Sequence, residues 1–213
     1  MRMRKKKNCD ARMESCADIW VKNPEDNKGR WHEIFGNNNA VHIEIGCGKG
    51  GFVTGMAKLH PNTNFIAVEK VSNVIITACE SAKAEGLKNV HFINCPAEVL
   101  PRYIPEGSIE RIYLNFSDPV PKLGYAAQRL TAPRFLSLYK NILKAGGEIW
   151  QKTDNEDFFD FSLEMYSQCG YSVLQVCRDL AANPFEGNVV TEHEKKFMDE
   201  GRTIFRAVVR RPD

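Results

Sequence analysis

Short apolar runs bounded by glycine, proline and asparagine recur along the chain, with longer segments carrying helix-boundary signals between them. The runs Val41–Ile45, Asn64–Glu69, Val90–Ile93, Arg111–Phe116, Glu148–Thr153, Tyr171–Arg178 and Ile204–Arg210 read as strands. Helices are expected over Gly51–Leu59, stopped near Pro61, and over Ser72–Glu85, closed by Gly86. Two more are expected over Thr131–Ala145, with Pro133 near its start and Gly146-Gly147 past its end, and over Glu156–Cys169. Strand and helix alternate through five strands, and two further strands close the chain. The pattern predicts an α/β, Rossmann-like fold: a mostly parallel seven-stranded sheet flanked by helices, with right-handed crossovers and a closing antiparallel hairpin. Residues 10–39 read as an irregular lead-in in which Trp31 and Phe35 share one face of a helical turn. The expected division is an arm and lead-in over 1–39 and a main domain over 40–213, with an insertion at 179–201 too long for a hairpin turn.

Composition narrows the class. At 213 residues, 43% hydrophobic and 26% charged, the chain suits one soluble domain, or one with an added flap. A net charge of +2 excludes a fold that is basic as a whole, so any nucleic-acid contact must use local patches. One such patch opens the chain. Arg2, Arg4, Lys5, Lys6 and Lys7 form either a solvated tail or a flexible arm for phosphates. Seven cysteines with no C-x-x-C pair and no Cys/His cluster at zinc spacing point to reduced thiols, a cytoplasmic protein and no metal. No apolar run approaches the ~18 residues needed to cross a bilayer. No apolar h-region follows the basic start, which argues against a signal peptide.

Candidate chemistry gathers where the first strand ends, in Val41-His42-Ile43-Glu44-Ile45-Gly46-Cys47-Gly48-Lys49-Gly50-Gly51-Phe52. Gly46, Gly48 and Gly50 allow a sharp strand-to-helix turn and a close approach of a cofactor to the backbone. Exposed N–H groups at the helix start can hold a polar ligand. Gly46, Gly48 and Gly51 also satisfy G-x-G-x-x-G, the dinucleotide fingerprint. Glu44 favours S-adenosylmethionine, whose ammonium a carboxylate could meet, over a nicotinamide dinucleotide, which offers only pyrophosphate. Glu69 ends the second strand at the distance where nucleotide-binding folds place a ribose-hydroxyl acceptor, and both cofactors want it. A plain helix start packed on a sheet would also use these glycines.

The fourth strand delivers Asn115-Phe116-Ser117-Asp118-Pro119 to the carboxyl edge of the sheet, where open α/β folds bind ligands. Pro119 and Pro121 stiffen that loop and fix the direction of Asp118. The fifth strand opens onto Asp154, which could equally cap the next helix. Within the insertion, Thr191-Glu192-His193-Glu194 matches a capping box and could also contact substrate. No histidine pairs with a cysteine or serine in a nucleophile motif. The closing hairpin is the layout of class I methyltransferases, whereas dinucleotide dehydrogenases more often continue into a second domain.

These segments resemble the bacterial tRNA (guanine-N7)-methyltransferases over nearly the whole chain: Glu44–Phe52, Arg111–Pro119, Lys152-Thr153-Asp154-Asn155, and Thr191–Glu194 with Lys195-Lys196-Phe197. The resemblance implies a class I fold, S-adenosylmethionine as methyl donor and a guanine of the tRNA variable loop as acceptor. It carries cofactor binding onto Glu44, Glu69 and Asp118, and tRNA contact onto Lys122, Asp154, Thr191, Glu192, His193 and Glu194. The family's aspartate after the third strand is replaced by Pro96, so adenine recognition falls to Ala97, Glu98 or backbone groups. The loop Val120–Ala126 lacks the family's tryptophan and most of its cations. Asp118 is the expected catalytic residue, orienting guanine and stabilising charge. Three other readings stay open at this point: a weak or inactive tRNA-binding relative, a class I methyltransferase with another substrate, and a nicotinamide oxidoreductase, against which the missing second domain counts. The expected assembly is a monomer or a weak homodimer.

Overall fold

A computed structural model describes residues 8–212; the basic stretch Arg2–Lys7 lies outside them. The strands form a seven-stranded mixed sheet, and the chain divides into two compact units, one ending at Pro105 and one beginning at Glu106.

In the first unit, β1 (Val41–Ile45), β2 (Asn64–Val68) and β3 (Val90–Ile93) run parallel, with β2 central. All five residues of β2 are buried, as expected of a strand covered on both faces. The register Ile45↔Val68 and Val68↔Ile93 brings the three carboxyl ends level, so the loops after them share one edge. The helices α3 (Gly51–Leu59) and α4 (Ser72–Ala84) follow β1 and β2 as predicted, and Gly86 ends α4 at φ 67°. The lead-in is more ordered than its sequence implies. It contains α1 (Cys9–Glu14), a 3-10 turn at Pro24–Asn27 and α2 (Trp31–Phe35). Arg12 pairs with Glu80 of α4, and Trp31 Nε1 donates to the Tyr103 carbonyl at 3.0 Å. Backbone bonds Val21 N to Phe92 O and Phe92 N to Ile19 O extend the β3 edge. After β3 comes a short helix that the sequence does not announce, α5 (Leu100–Tyr103).

In the second unit the strand order is β4 (Ile109–Asn115), β5 (Leu143–Thr153), β7 (Phe205–Arg210), β6 (Ser172–Cys177). The β4–β5 pair is parallel, whereas β7 runs antiparallel to both β5 and β6, giving the closing hairpin. Helices α6 (Pro133–Ile142) and α7 (Glu156–Gln168) flank β5 in sequence, and the insertion contains α8 (Glu192–Asp199). One boundary differs from expectation: α6 stops at Ile142, and Leu143 already pairs with Ile109 across an irregularity in β4–β5. Gly146, at φ 69°, and Gly147 carry that irregularity. A Cβ on Gly147 would lie 2.9 Å from the Lys144 carbonyl and 3.1 Å from that of Glu110.

Candidate active site

The first unit supplies a turn with two kinds of glycine. Gly46 and Gly48 have φ of 82° and 57°, and a Cβ on either would meet nothing within 4 Å, so both border open space. Gly50, at φ 84°, would place its Cβ 2.7 Å from that of Ala78; its need is close packing against α4. The turn is fixed by Gly46 N and Cys47 N, which donate to the Val68 carbonyl at 2.8 and 3.0 Å.

Two carboxylates flank this turn. Glu44 is buried at 3% exposure, and Glu69 is half-buried. Glu69 accepts from Gly48 N at 3.3 Å and Val71 N at 2.9 Å, one bond per oxygen, leaving acceptor capacity on each. The charge of each acid is felt at Cys47 of the turn, whose thiol is pushed well up by burial and then by Glu44 and Glu69. After β3, Pro96 is exposed at φ −72°, Ala97 is buried and Glu98 is exposed at a 3-10 turn. Asn94 braces the same edge: its Nδ2 donates to the Glu69 carbonyl at 2.7 Å, and its Oδ1 accepts from Ser72 Oγ at 2.8 Å.

In the second unit Asp118 is exposed, and its Oδ1 accepts from Val120 N at 2.9 Å. Phe116 and Val120 hold φ of 50° and 44°, a region that L side chains rarely enter. Lys122 is exposed. Asp154 is bound by Arg202, whose guanidinium also lies 4.3 Å from the Phe197 ring centre. His193 is exposed and stacks on Phe116, with centroids 6.4 Å apart, and Phe197 completes the aromatic group. Thr191 caps α8, accepting from Glu194 N at 3.0 Å.

Only half of a capping box forms, because the Glu194 carboxylate turns inward. At 1% exposure it accepts from Lys152 Nζ at 2.5 Å and from Asn188 Nδ2 at 2.8 Å. Lys152 also donates to Asn188 Oδ1 and the Val189 carbonyl. Glu194 thus fastens the insertion to β5, while Glu192 and His193, both exposed, face solvent from the first turn of α8.

The sequence family described as "Putative methyltransferase" matches residues 38–207. The chain is 45% identical over 212 residues to the tRNA (guanine-N(7)-)-methyltransferase of Geobacillus sp. (strain WCH70), an alignment covering 100% of this chain and 96% of that one. The chain belongs to the tRNA (guanine-N7)-methyltransferase family. An enzyme of the same name from Streptococcus agalactiae serotype III (strain NEM316) is 43% identical over 210 residues, covering 99% and 100%. Among solved structures, an antibiotic-related methyltransferase superposes with a TM-score of 0.66 at 21% identity, over 89% of this chain and 96% of that one. The 16S rRNA methyltransferase KamB gives 0.65 at 12%, over 87% and 94%. At such identities the likeness is one of fold, and the fold is that of class I methyltransferases.

The resemblance drawn from the sequence marks Pro96 and Val120–Ala126 as departures from the family pattern. The structure leaves the backbone intact at both places, as an exposed 3-10 turn start and a hydrogen-bonded turn followed by a 3-10 helix at Leu123–Gln128. The sequence does not announce Asn188 and Arg202, which hold the loops described above, or Arg129, whose guanidinium donates to the Pro119 and Val120 carbonyls. Each is a polar residue in a loop or beside one, with a partner far away in sequence or on the main chain, and no local pattern marks it. No group of three His, Cys, Asp or Glu able to hold a metal occurs among the described residues. No helix among them is long and apolar enough to cross a membrane.

Proposed function

We propose that this protein transfers a methyl group from S-adenosylmethionine to N7 of the variable-loop guanine of tRNA. The observation that carries the reading is the 45% identity, over the whole chain, to a relative named for that reaction.

The residues of the first unit fit the cofactor. Gly46 and Gly48 border open space where a backbone can approach a ligand, and the buried Glu44 lies at the end of the strand leading into them. A carboxylate there is chemically matched to the ammonium of that cofactor. Glu69 keeps acceptor capacity for ribose hydroxyls. With Pro96 in place of an acid, Glu98 and the backbone around Ala97 are left to meet adenine. When bound, the cofactor supplies a methyl group on a positively charged sulfur.

The protein's own part is positioning. Guanine N7 carries a lone pair and no proton, so no general base is required. The thiols agree with a mechanism that needs no cysteine nucleophile: burial pushes Cys79 and Cys95 up to about 12, and Cys47 well above its usual range. Holding reactants in line can supply roughly 7–11 kcal/mol in the best cases. Asp118, exposed with one oxygen engaged, is suited to accept from N1–H and N2–H of a guanine taken out of its stack. Its charge also favours the cation left on the methylated base. Phe116, His193 and Phe197 offer ring faces beside it, and Lys122 offers a phosphate contact. Asp154, Thr191 and Glu194 act by shaping this surface through Arg202, α8 and Lys152.

The test is methyl transfer from labelled S-adenosylmethionine to unmodified tRNA, beside a tRNA whose variable-loop guanine is replaced by adenine. Label in the first only, with strand scission at that site after borohydride and aniline, is the expected result. Binding of tRNA with label in neither would show that the changes at Pro96 and Val120–Ala126 have silenced the enzyme.

A further inference from the structure

Arg129 is a charged side chain at 6% exposure, and it forms no ion pair with any carboxylate among the described residues. Its Nε donates to the Pro119 carbonyl at 2.8 Å and an Nη donates to the Val120 carbonyl at 3.3 Å. The guanidinium carbon lies 4.4 Å from the Phe161 ring centre and 5.9 Å from that of Phe158, both rings of α7. Its own backbone is held as well: Arg129 N donates to Ala126 O at 3.0 Å, and Ala132 N donates to Arg129 O at 2.9 Å.

A buried cation without a counter-ion is costly, so its compensation by two successive carbonyls and aromatic faces is informative. Both carbonyls belong to the turn that carries Asp118. That turn needs holding, because Val120 is β-branched and sits at φ 44°. Within the turn Asp118 Oδ1 accepts from Val120 N, and Arg129 donates to the Pro119 and Val120 carbonyls, so side chain and main chain of the turn are both engaged. The carboxylate is therefore fixed in direction although it is exposed. A lysine could not reproduce this, since a point ammonium lacks the planar fork that spans two carbonyls while lying against rings.

We infer that Arg129 is a positioning residue for methyl transfer, acting through the Pro119–Val120 turn on the direction of Asp118. The inference rests on the role assigned to Asp118 above.

Its test uses the full chain with Arg129→Lys and Arg129→Met, each alone and combined with Asp118→Ala. Rates at saturating tRNA and S-adenosylmethionine, both KM values and the melting temperature are measured. The expected result is a fall in kcat on the order of ten- to hundred-fold, as for a displaced reacting group. The KM for S-adenosylmethionine should stay unchanged, and no further loss should follow when Asp118 is already alanine. Arg129→Lys is the variant that decides if Arg129→Met fails to fold. An equal loss in both backgrounds overturns the inference while leaving Asp118 its role. Full activity in Arg129→Lys overturns it too, as does a loss that disappears on cooling and so reports unfolding alone. Full turnover in Asp118→Ala removes the assignment underneath, and the inference with it.

Discussion

Gly46, Gly48 and Gly50 look alike in the sequence, and the structure gives them different work. All three hold positive φ, which costs an L side chain about 1–2 kcal/mol. Only Gly50 also lacks room, with Ala78 Cβ at 2.7 Å from where its own would lie. Both atoms are rigidly attached to their backbones, so α3 or α4 would have to shift, and overpacking of this kind costs typically about 1–3 kcal/mol more. Gly50→Ala should therefore melt clearly below Gly48→Ala. Gly48→Ala, whose Cβ projects into open space, should lose S-adenosylmethionine affinity out of proportion to its small stability loss. Thermal melts and titration calorimetry on the two variants check both statements. Equal melting temperatures would refute the division of labour.

At the scale of elements, the long insertion after β6 is held by a buried charge pair. Lys152 on β5 and Glu194 on α8 are 5% and 1% exposed, and Asn188 bonds to both. Removing one partner leaves a buried charge alone, which costs about 3–5 kcal/mol, whereas replacing both by apolar residues costs far less. Lys152→Met should therefore loosen α8 and the 188–194 segment, seen as faster amide exchange there and a lower melting temperature. The double variant Lys152→Met with Glu194→Leu should recover much of that loss; strict additivity would contradict the coupling. Here also lies the boundary of what the sequence could reveal. Strand ends, helix starts and the Thr191 cap are local events, and the residue pattern announces them. That Glu194 is buried depends on a lysine 42 residues away, and nothing in an acidic, outwardly polar helix signals it. The same holds for the start of β5. Lys144-Ala145-Gly146-Gly147 reads as a helix C-cap, yet Leu143 joins β4 instead, because Gly147 alone fits against the Lys144 and Glu110 carbonyls. The glycine turn and the Asp118 strand end were legible; the network that steadies Asp118 was not, since Arg129 reaches main-chain carbonyls that carry no side-chain signature.

At the scale of the whole molecule, stability has a pH dependence built into the edge of the first unit. His91 on β3 is 7% exposed, pairs in register with Ile66 and meets Phe35 of the lead-in edge to face at 4.9 Å. Burial lowers its pKa from 6.5 to about 4, outweighing the backbone bond to Ile19 and the charge of Asp18, both of which favour the cation. The sign follows from proton counting. Between pH 6.5 and about 4 the unfolded chain binds a proton at this site and the folded chain does not, so stability rises with pH across that window and is lost as pH falls. At about 1.4 kcal/mol per pKa unit, the loss approaches ~3 kcal/mol near pH 4. Carboxylates titrate in the same range, so the informative quantity is the difference between the native chain and His91→Gln, which keeps a polar side chain of similar size and cannot ionise. That difference in unfolding free energy should be constant from pH 8 to pH 7. It should then shift steadily in favour of the variant as pH drops toward 4.5. A difference that stays flat over the whole range would mean that His91 takes its proton inside the fold, and the packing of the lead-in against β3 would have to be looser than its buried contacts with Phe35 imply.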